Sequence, residues 1–165
     1  MSTDIDVIRK TRKGYEVCTM KRRIMSGPNQ MFDPSTGEMV GTEEMSMAIT
    51  YNYAEYYYDK HALGKDGLRW LNGKNCKKTI PRLIKTIEWL SKQDDGPAIE
   101  EARKKWDDLQ KKCTDDNKLL KELYGGRQFK IDYWTPMPSN VQRAFTDLLH
   151  LAVVAPKNAV WRVLA

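Results

Sequence analysis

Two stretches in which apolar residues recur with helical spacing constrain the fold of this chain more than any other feature. The first consists of Ile80, Leu83, Ile84, Ile87 and Leu90, and the second consists of Val141, Ala144, Phe145, Leu148, Leu149, Ala152 and Val153. Intervals of three and four residues place each set on one face of an α-helix. We therefore predict helices over residues 79–92, with Thr79 as N-cap, and over residues 139–155, opened by a capping box of Ser139 and Gln142.

The remaining periodic segments predict one more helix and two strands. A single apolar stripe runs through residues 98–124 and predicts a long helix. Between Met45 and Tyr53, apolar and polar residues alternate with the period of two that is typical of a half-buried strand. The tail over residues 159–164 is a second candidate strand, which we expect to pair with the first. Together these elements predict an α+β fold, mostly α, with a compact helical domain and a short strand or small sheet.

Residues 1–43 differ from the rest of the chain, because they combine basic clusters with few apolar positions. Within them, residues 32–40 contain Pro34 and Gly37 between apolar residues, which is the chemistry of a hairpin turn. We therefore divide the chain into an N-terminal extension with a hairpin over residues 1–43 and a single globular, mainly helical domain over residues 44–165.

The composition predicts a cytoplasmic protein without a membrane partner. No apolar run approaches the roughly 18 residues of a spanning helix, and the first residues lack the cationic and apolar parts of a secretory signal. The three cysteines, Cys18, Cys76 and Cys113, are odd in number and widely spaced. This pattern indicates reduced thiols rather than a disulfide framework.

The basic charge of the chain is concentrated in one segment. Residues 60–85 contain eight lysines and arginines and a single acid, Asp66, whereas the formal net charge of the whole chain is +6. Such a run acts on partners through its local electrostatic field. The segment therefore predicts an anionic partner.

No motif predicts a catalytic residue, a metal site or a cofactor. Residues 67–75 come near the phosphate-binding loop pattern, but five residues rather than four separate its glycines, and Asn75 stands where a magnesium-binding hydroxyl is required. His61 and His150 are isolated, and no two cysteines have the spacing of zinc ligands. Neighbouring lysines would lower the thiol pKa of Cys76, but an incidental cysteine in a basic loop is the simpler interpretation.

Aromatic residues beside Arg, Lys and Asn form the combination that best indicates a binding site. Aromatic rings stack on nucleobases, and Arg or Lys makes charge-assisted hydrogen bonds to phosphate oxygens. Each residue also has a structural interpretation, since Tyr and Trp bury well when their polar tips are hydrogen-bonded. The candidate ligand-binding residues are Asn52, Tyr53, Tyr57, Arg69, Trp70, Lys74, Trp134 and Asn140.

Several segments together resemble a family of small uncharacterised proteins of bacteriophages and bacteria. The resemblance covers residues 45–93 and 131–163 and is carried by the sequences ITYNYA (49–54), GLRWLNGK (67–74), IPRL (80–83) and DYWTP (132–136). The family has no established activity, so the resemblance implies no catalytic residues. It implies a bacteriophage-type protein that acts by binding in the host cytoplasm.

We therefore expect a non-enzymatic protein that sequesters an anionic, nucleotide-like small molecule, in a setting where a bacteriophage counters host defence. Two other partners stay open: nucleic acid spread along the basic segment, and a host protein inhibited through an exposed face such as that of residues 98–124. A homo-oligomer is compatible with each. An enzyme is the remaining alternative, and a cleft shared by Tyr57, His61, Arg69 and Asp132 would favour it.

Overall fold

A computed structural model of the chain describes residues 2–24, 31–32, 35–40 and 42–164. Its strands are β1 (Ser2–Thr11), β2 (Gly14–Val17), β3 (Thr19–Ile24), β4 (Met31–Phe32), β5 (Met39–Val40), β6 (Thr42–Glu44), β7 (Ser46–Thr50) and β8 (Val160–Leu164). Its α-helices are α1 (Ala54–Tyr57), α2 (Cys76–Leu90), α3 (Gly96–Lys111), α4 (Lys118–Tyr124) and α5 (Pro138–Val154). Two 3₁₀ helices span Tyr51–Tyr53 and Gly64–Leu71. The predicted α+β class is confirmed, and none of the helices in the described ranges has the length and apolarity needed to cross a bilayer.

The main sheet is built around β1, which pairs antiparallel with β2, β7 and β8. Residues 4–6 of β1 pair with β7 on one edge and with β8 on the other. The predicted boundary at residue 43 therefore does not separate β1 from the domain, since Ile5 and Val7 are fully buried in its core. The prediction that the tail strand pairs with the Met45–Tyr53 strand is wrong, because β1 lies between them.

One face of this sheet packs on the two best-predicted helices. Ile5, Val7 and Trp161 share a buried cluster with residues of α2 and α5, which also pack against each other. Leu83 and Leu148 contribute from the helices and are 0% exposed. Full burial of a leucine side chain stabilises a fold by about 1.5–3 kcal/mol, so each of these contacts contributes substantially to stability.

Both helices start with capping residues other than the predicted ones. Asn75, not Thr79, caps α2, and its side-chain oxygen accepts a hydrogen bond from Lys78 N at 3.3 Å. The predicted Ser139–Gln142 capping box is absent from α5. Its first turn is instead capped from outside, since Ser139 N donates to the Asp95 carboxylate at 2.9 Å.

The buried faces of the two helices are also rotated relative to the predicted stripes. Ile84 of α2 is 39% exposed and Val153 of α5 is 52% exposed, whereas Thr79 and Thr86 are buried on α2. Leu149 is only partly buried. A wide stripe tolerates such a rotation, because its flanking apolar side chains still cover the edge of the core.

The predicted helix over residues 98–124 is two helices, α3 and α4. The break contains Thr114, Asp115, Asp116 and Asn117, whose short polar side chains compete with helical hydrogen bonds. The chain turns back there, so that the ring centroids of Trp106 and Tyr124 lie 6.2 Å apart. No residue of α3 or α4 is fully buried.

The predicted strand over Met45–Tyr53 is confirmed for its first part only. β7 ends at Thr50, whose hydroxyl accepts a hydrogen bond from Asn52 N at 3.2 Å and starts the first 3₁₀ helix. The predicted hairpin is formed by β4 and β5, which pair antiparallel, and its positions 33–34 lie outside the described residues. A second hairpin-like pair, β3 with β6, links it to the main sheet.

Candidate ligand-binding surface

The 3₁₀ helix Gly64–Leu71 determines where Arg69 and Trp70 lie. Leu68 and Leu71 are buried and anchor this helix to the core, whereas Arg69 is exposed and Trp70 partly so. Gly67 sits at a kink with φ +51, where an added Cβ would lie 2.8 Å from a ring carbon of Tyr58. Glycine is therefore needed both for the left-handed backbone and for the close approach of the tyrosine ring.

The next segment, residues 72–75, runs along the outer edge of β8. Gly73 N donates to Trp161 O at 2.8 Å, and Trp161 N donates to Lys74 O at 3.0 Å. These bonds hold the backbone of Lys74 next to the end of the 3₁₀ helix. The Lys74 ammonium lies 4.6 Å from the centroid of the Trp70 ring, a cation–π distance. Because the lysine already covers the ring, Trp70 is a poorer platform for a nucleobase than the sequence predicts.

A small cavity brings Arg69 together with the tyrosines of residues 51–58. It has a volume of 130 Å³ and is lined by Tyr51, Tyr57, Tyr58 and Arg69, with Thr3 and Leu68. We call it the tyrosine cavity. Tyr51 is 54% exposed and Tyr58 43% exposed, whereas Tyr57 is buried and forms the inner wall. Burial raises the pKa of the Tyr57 phenol to about 12, so this wall is neutral at physiological pH.

Three other candidates, Asn52, Tyr53 and Asn140, hold a loop in place at a different position. The Tyr53 hydroxyl donates to Tyr133 O, and the Asn52 side chain donates to Trp134 O at 3.1 Å. The Asn140 amide donates to Asp132 O at 2.8 Å and Thr135 O at 2.9 Å, and so closes the turn 132–136. Burial raises the pKa of the Tyr53 phenol, which keeps its proton available for the hydrogen bond. For Asn52, Tyr53 and Asn140 the structural interpretation is therefore sufficient.

Trp134 lies in the same loop, with 47% of its surface exposed. Its ring contacts Tyr133 edge-on, with centroids 5.6 Å apart. Together with Trp106 and Phe129 it lines a shallow groove of 320 Å³ beside α3. This groove shares no residue with the tyrosine cavity, so Trp134 belongs to a separate surface.

Part of the basic segment forms a stripe along α2. Lys78, Arg82 and Lys85 follow one another at intervals of four and three residues, which places them on one helix face. The Arg82 guanidinium donates to Lys60 O at 2.8 Å and brings the loop that carries Lys60 next to this stripe. In the described ranges, no side chain among the eight cations of residues 60–85 forms an ion pair with a carboxylate. We call these three helix residues and Lys60 the α2 stripe.

The combination that would favour an enzyme is not assembled. Tyr57 and Arg69 line the tyrosine cavity, but His61 stacks on Trp89 with ring centroids 5.9 Å apart, and Asp132 accepts hydrogen bonds inside its own loop. Neither lines the cavity. Within the residues that the structure describes, no three side chains of His, Cys, Asp or Glu are grouped as metal ligands.

Cys76 is fully buried beneath the lysines that follow it along the chain. Burial, its largest influence, raises the pKa of the thiol to about 12, and the charge of Lys77 opposes this only weakly. The incidental interpretation of this cysteine is therefore the better one, because a buried thiol with a raised pKa is inert.

The structure also separates the tyrosines of residues 51–58, which the sequence could not do. Tyr51 and Tyr58, which the candidate set omits, are the rings exposed beside Arg69, whereas the chosen Tyr53 and Tyr57 are buried. A local signal for this is present in Gly67, whose missing side chain makes room for Tyr58.

No family model matches this chain, and neither a curated protein nor a solved structure is similar to it at a significant level.

Proposed function

We propose that this protein is a non-enzymatic binding protein for an anionic, nucleotide-like ligand, and that the tyrosine cavity and Arg69 form its binding site. The observation that supports this proposal is the position of Arg69. Among the described residues its guanidinium has no carboxylate partner, and it lines the same cavity as two half-exposed tyrosine rings. A cation beside accessible aromatic faces offers a phosphate contact and a stacking surface together.

The volume of the cavity limits how such a ligand binds. An engineered cavity of about 150 Å³ holds benzene, whereas pockets for whole ligands measure about 300–1,000 Å³. At 130 Å³, the tyrosine cavity accommodates one ring and not an entire nucleotide. The base therefore enters between the tyrosines, while the sugar and phosphate stay outside, next to Arg69.

Lys74 and Trp70 take an indirect part in this proposal. The Lys74 ammonium lies over the Trp70 ring, one residue along the chain from Arg69. It adds to the positive potential around the phosphate without a contact of its own. In the bacteriophage setting that the family resemblance implies, such binding would withdraw a nucleotide from a host pathway.

Titration calorimetry at low salt with cytidine and uridine monophosphates, whose bases are single rings, tests the proposal. A charge-assisted hydrogen bond contributes about 1.5–3 kcal/mol, so Arg69→Ala should weaken binding about ten- to a hundred-fold. Arg127→Ala is the matched control, because Arg127 is exposed and lies outside the cavity. Both variants should unfold at the same urea concentration as the wild type. Equal affinity of the Arg69 and Arg127 variants, or no heat with either nucleotide, would refute the proposal.

Nucleic acid is the second candidate ligand, and the α2 stripe favours it. Three regularly spaced cations on one helix face can contact successive phosphates of an extended backbone. Affinity for DNA or RNA in gel shifts should then fall by about 0.7–0.9 log units per phosphate contact for each decade of salt, and Lys85→Ala should reduce this slope. A mononucleotide at Arg69 should show a shallow slope instead. If both assays are blank, a protein partner becomes the leading hypothesis.

A further inference from the structure

A cleft lies on the face of the main sheet that is turned away from α2 and α5. Along β1, Asp6, Ile8 and Lys10 alternate with the core residues Ile5 and Val7 and therefore project from the opposite face. The cleft has a volume of 360 Å³. Its lining includes the side chains of Lys10, Tyr15, Asn72, Asn158, Val160 and Arg162. None of them lines the tyrosine cavity.

Arg162 is held in position within this cleft by a buried carboxylate. Its Nε and Nη2 donate to one oxygen of Asp6 at 2.9 and 2.6 Å, and Ser46 donates to the other oxygen at 2.6 Å. The Asp6 side chain is only 8% exposed, whereas that of Arg162 is 40% exposed. The second amino group of the guanidinium has no hydrogen-bond partner among the described residues. It is therefore an oriented donor whose position costs little entropy on binding.

The polar groups that remain free in the cleft are mostly donors. Lys10 forms no ion pair in the described part of the chain, and the Asn72 oxygen is already used by Val163 N at 3.1 Å, which leaves the Asn72 amino group. Asn158 adds a further side-chain amide. Among the described residues no carboxylate lines the cleft itself, since Asp6 is buried next to Arg162. Asp6 offsets the charge of Arg162, so Lys10 supplies the remaining positive charge, and a cleft rich in such donors favours an anion.

The remaining walls are apolar and flat. Tyr15, directly opposite Lys10 in the β1–β2 ladder, is 64% exposed. Ile8 and Val160 form the floor, and Ile8 is nearly buried. The volume falls within the range of about 300–1,000 Å³ that is typical of small-molecule sites. From these features we infer a second binding site, which takes a small planar organic anion: its ring stacks on Tyr15, and its carboxylate or phosphate is bound by Lys10 and Arg162.

Calorimetry at low salt with benzoate, adenosine monophosphate and inorganic phosphate tests this site, since the first two carry a ring and the third does not. Lys10→Ala should weaken binding of the ring-bearing probes about ten- to a hundred-fold. Lys13→Ala is the matched control, because Lys13 is an exposed lysine of the same hairpin and does not line the cleft. Arg162 is not substituted, because its loss would leave the buried Asp6 carboxylate without its cationic partner.

Tyr15→Ser provides the test of stacking. It should weaken benzoate or adenosine monophosphate about five- to a hundred-fold and leave phosphate unchanged. Preference for benzoate identifies the anion as a carboxylate, and preference for the nucleotide identifies it as a phosphate ester. Equal effects of Lys10→Ala and Lys13→Ala, or no binding of a ring-bearing probe at millimolar concentration, would overturn the inference. Loss of all binding in Arg69→Ala would also overturn the inference, because it would place the ligand in the tyrosine cavity. Lys10→Ala therefore tests the cleft and Arg69→Ala tests the tyrosine cavity, so that one proposal can be refuted without the other.

Discussion

Replacement of Thr79 by valine should destabilise the protein because of a single hydrogen bond in the core. Thr79 and Trp161 are each 1% exposed, and the Trp161 indole N–H donates to the Thr79 hydroxyl at 3.0 Å. The same hydroxyl donates to Cys76 O at 2.7 Å, which orients its lone pairs toward the indole. Valine has the same shape and no acceptor. A buried donor left without a partner costs about 1–3 kcal/mol, and that is the expected loss in the free energy of unfolding.

Thr86 provides a matched control on the same helix face. It is 0% exposed, and its hydroxyl donates to Arg82 O at 3.0 Å, a carbonyl within the helix that does not depend on this bond. Thr86→Val therefore leaves no donor unpaired and should stay within about 0.5 kcal/mol of the wild type. Urea unfolding followed by circular dichroism, with equal slopes for all variants, measures both.

A double-mutant cycle isolates the energy of this hydrogen bond. In a Trp161→Phe background the indole N–H is absent, so Thr79→Val should lose most of its cost, and the coupling energy should equal about 1–3 kcal/mol. A coupling energy below about 0.5 kcal/mol, or equal losses of stability for the two threonine variants, would show that the hydrogen bond does not contribute the predicted stability.

Two further predictions concern the core. Leu148→Ala should lower the free energy of unfolding by about 2–5 kcal/mol, because Leu148 is fully buried, and Leu149→Ala should cost clearly less, because Leu149 is partly exposed; similar losses would show that α5 is rotated. Burial raises the pKa of the Cys76 thiol to about 12, so its stabilising contribution is fully present below about pH 9 and is lost as the pH rises toward 12. At pH 10 the wild type should lose about 1.4 kcal/mol more than Cys76→Ala, relative to each protein at pH 7.5, and equal pH profiles would contradict this.

The sequence predicts the helices well where burial repeats locally. The stripes of α2 and α5 depend on neighbours three and four residues apart, so periodicity alone locates them. The break between α3 and α4 is missed because the apolar spacing continues across it, although Thr114–Asn117 contains four residues that favour turns. The turn-forming residues determine the structure there, because α3 and α4 bury little apolar surface and a continuous helix would add little stability.

The central strand is missed for a different reason. β1 contains Asp6, which reads as a solvent residue until its partner Arg162 is known, 156 positions later along the chain. Long-range pairing of this kind has no local signature. The same limit applies to the candidate binding surface: the structure leaves Arg69 exposed, but which tyrosines are exposed beside it depends on a 3₁₀ turn and on Gly67.

The pairing of β1 with β8 has a consequence for how the protein is made. On the edge of β1 that faces β8, residues 4–8 pair with residues 160–164, and a ribosome adds about 5–20 residues per second. About 8–30 s therefore pass between synthesis of the two strands, during which one edge of β1 has no partner in the growing chain. Unpaired edges of this kind are prone to intermolecular association. We expect expression temperature and chaperone level to affect the soluble yield of this protein more strongly than its equilibrium stability suggests.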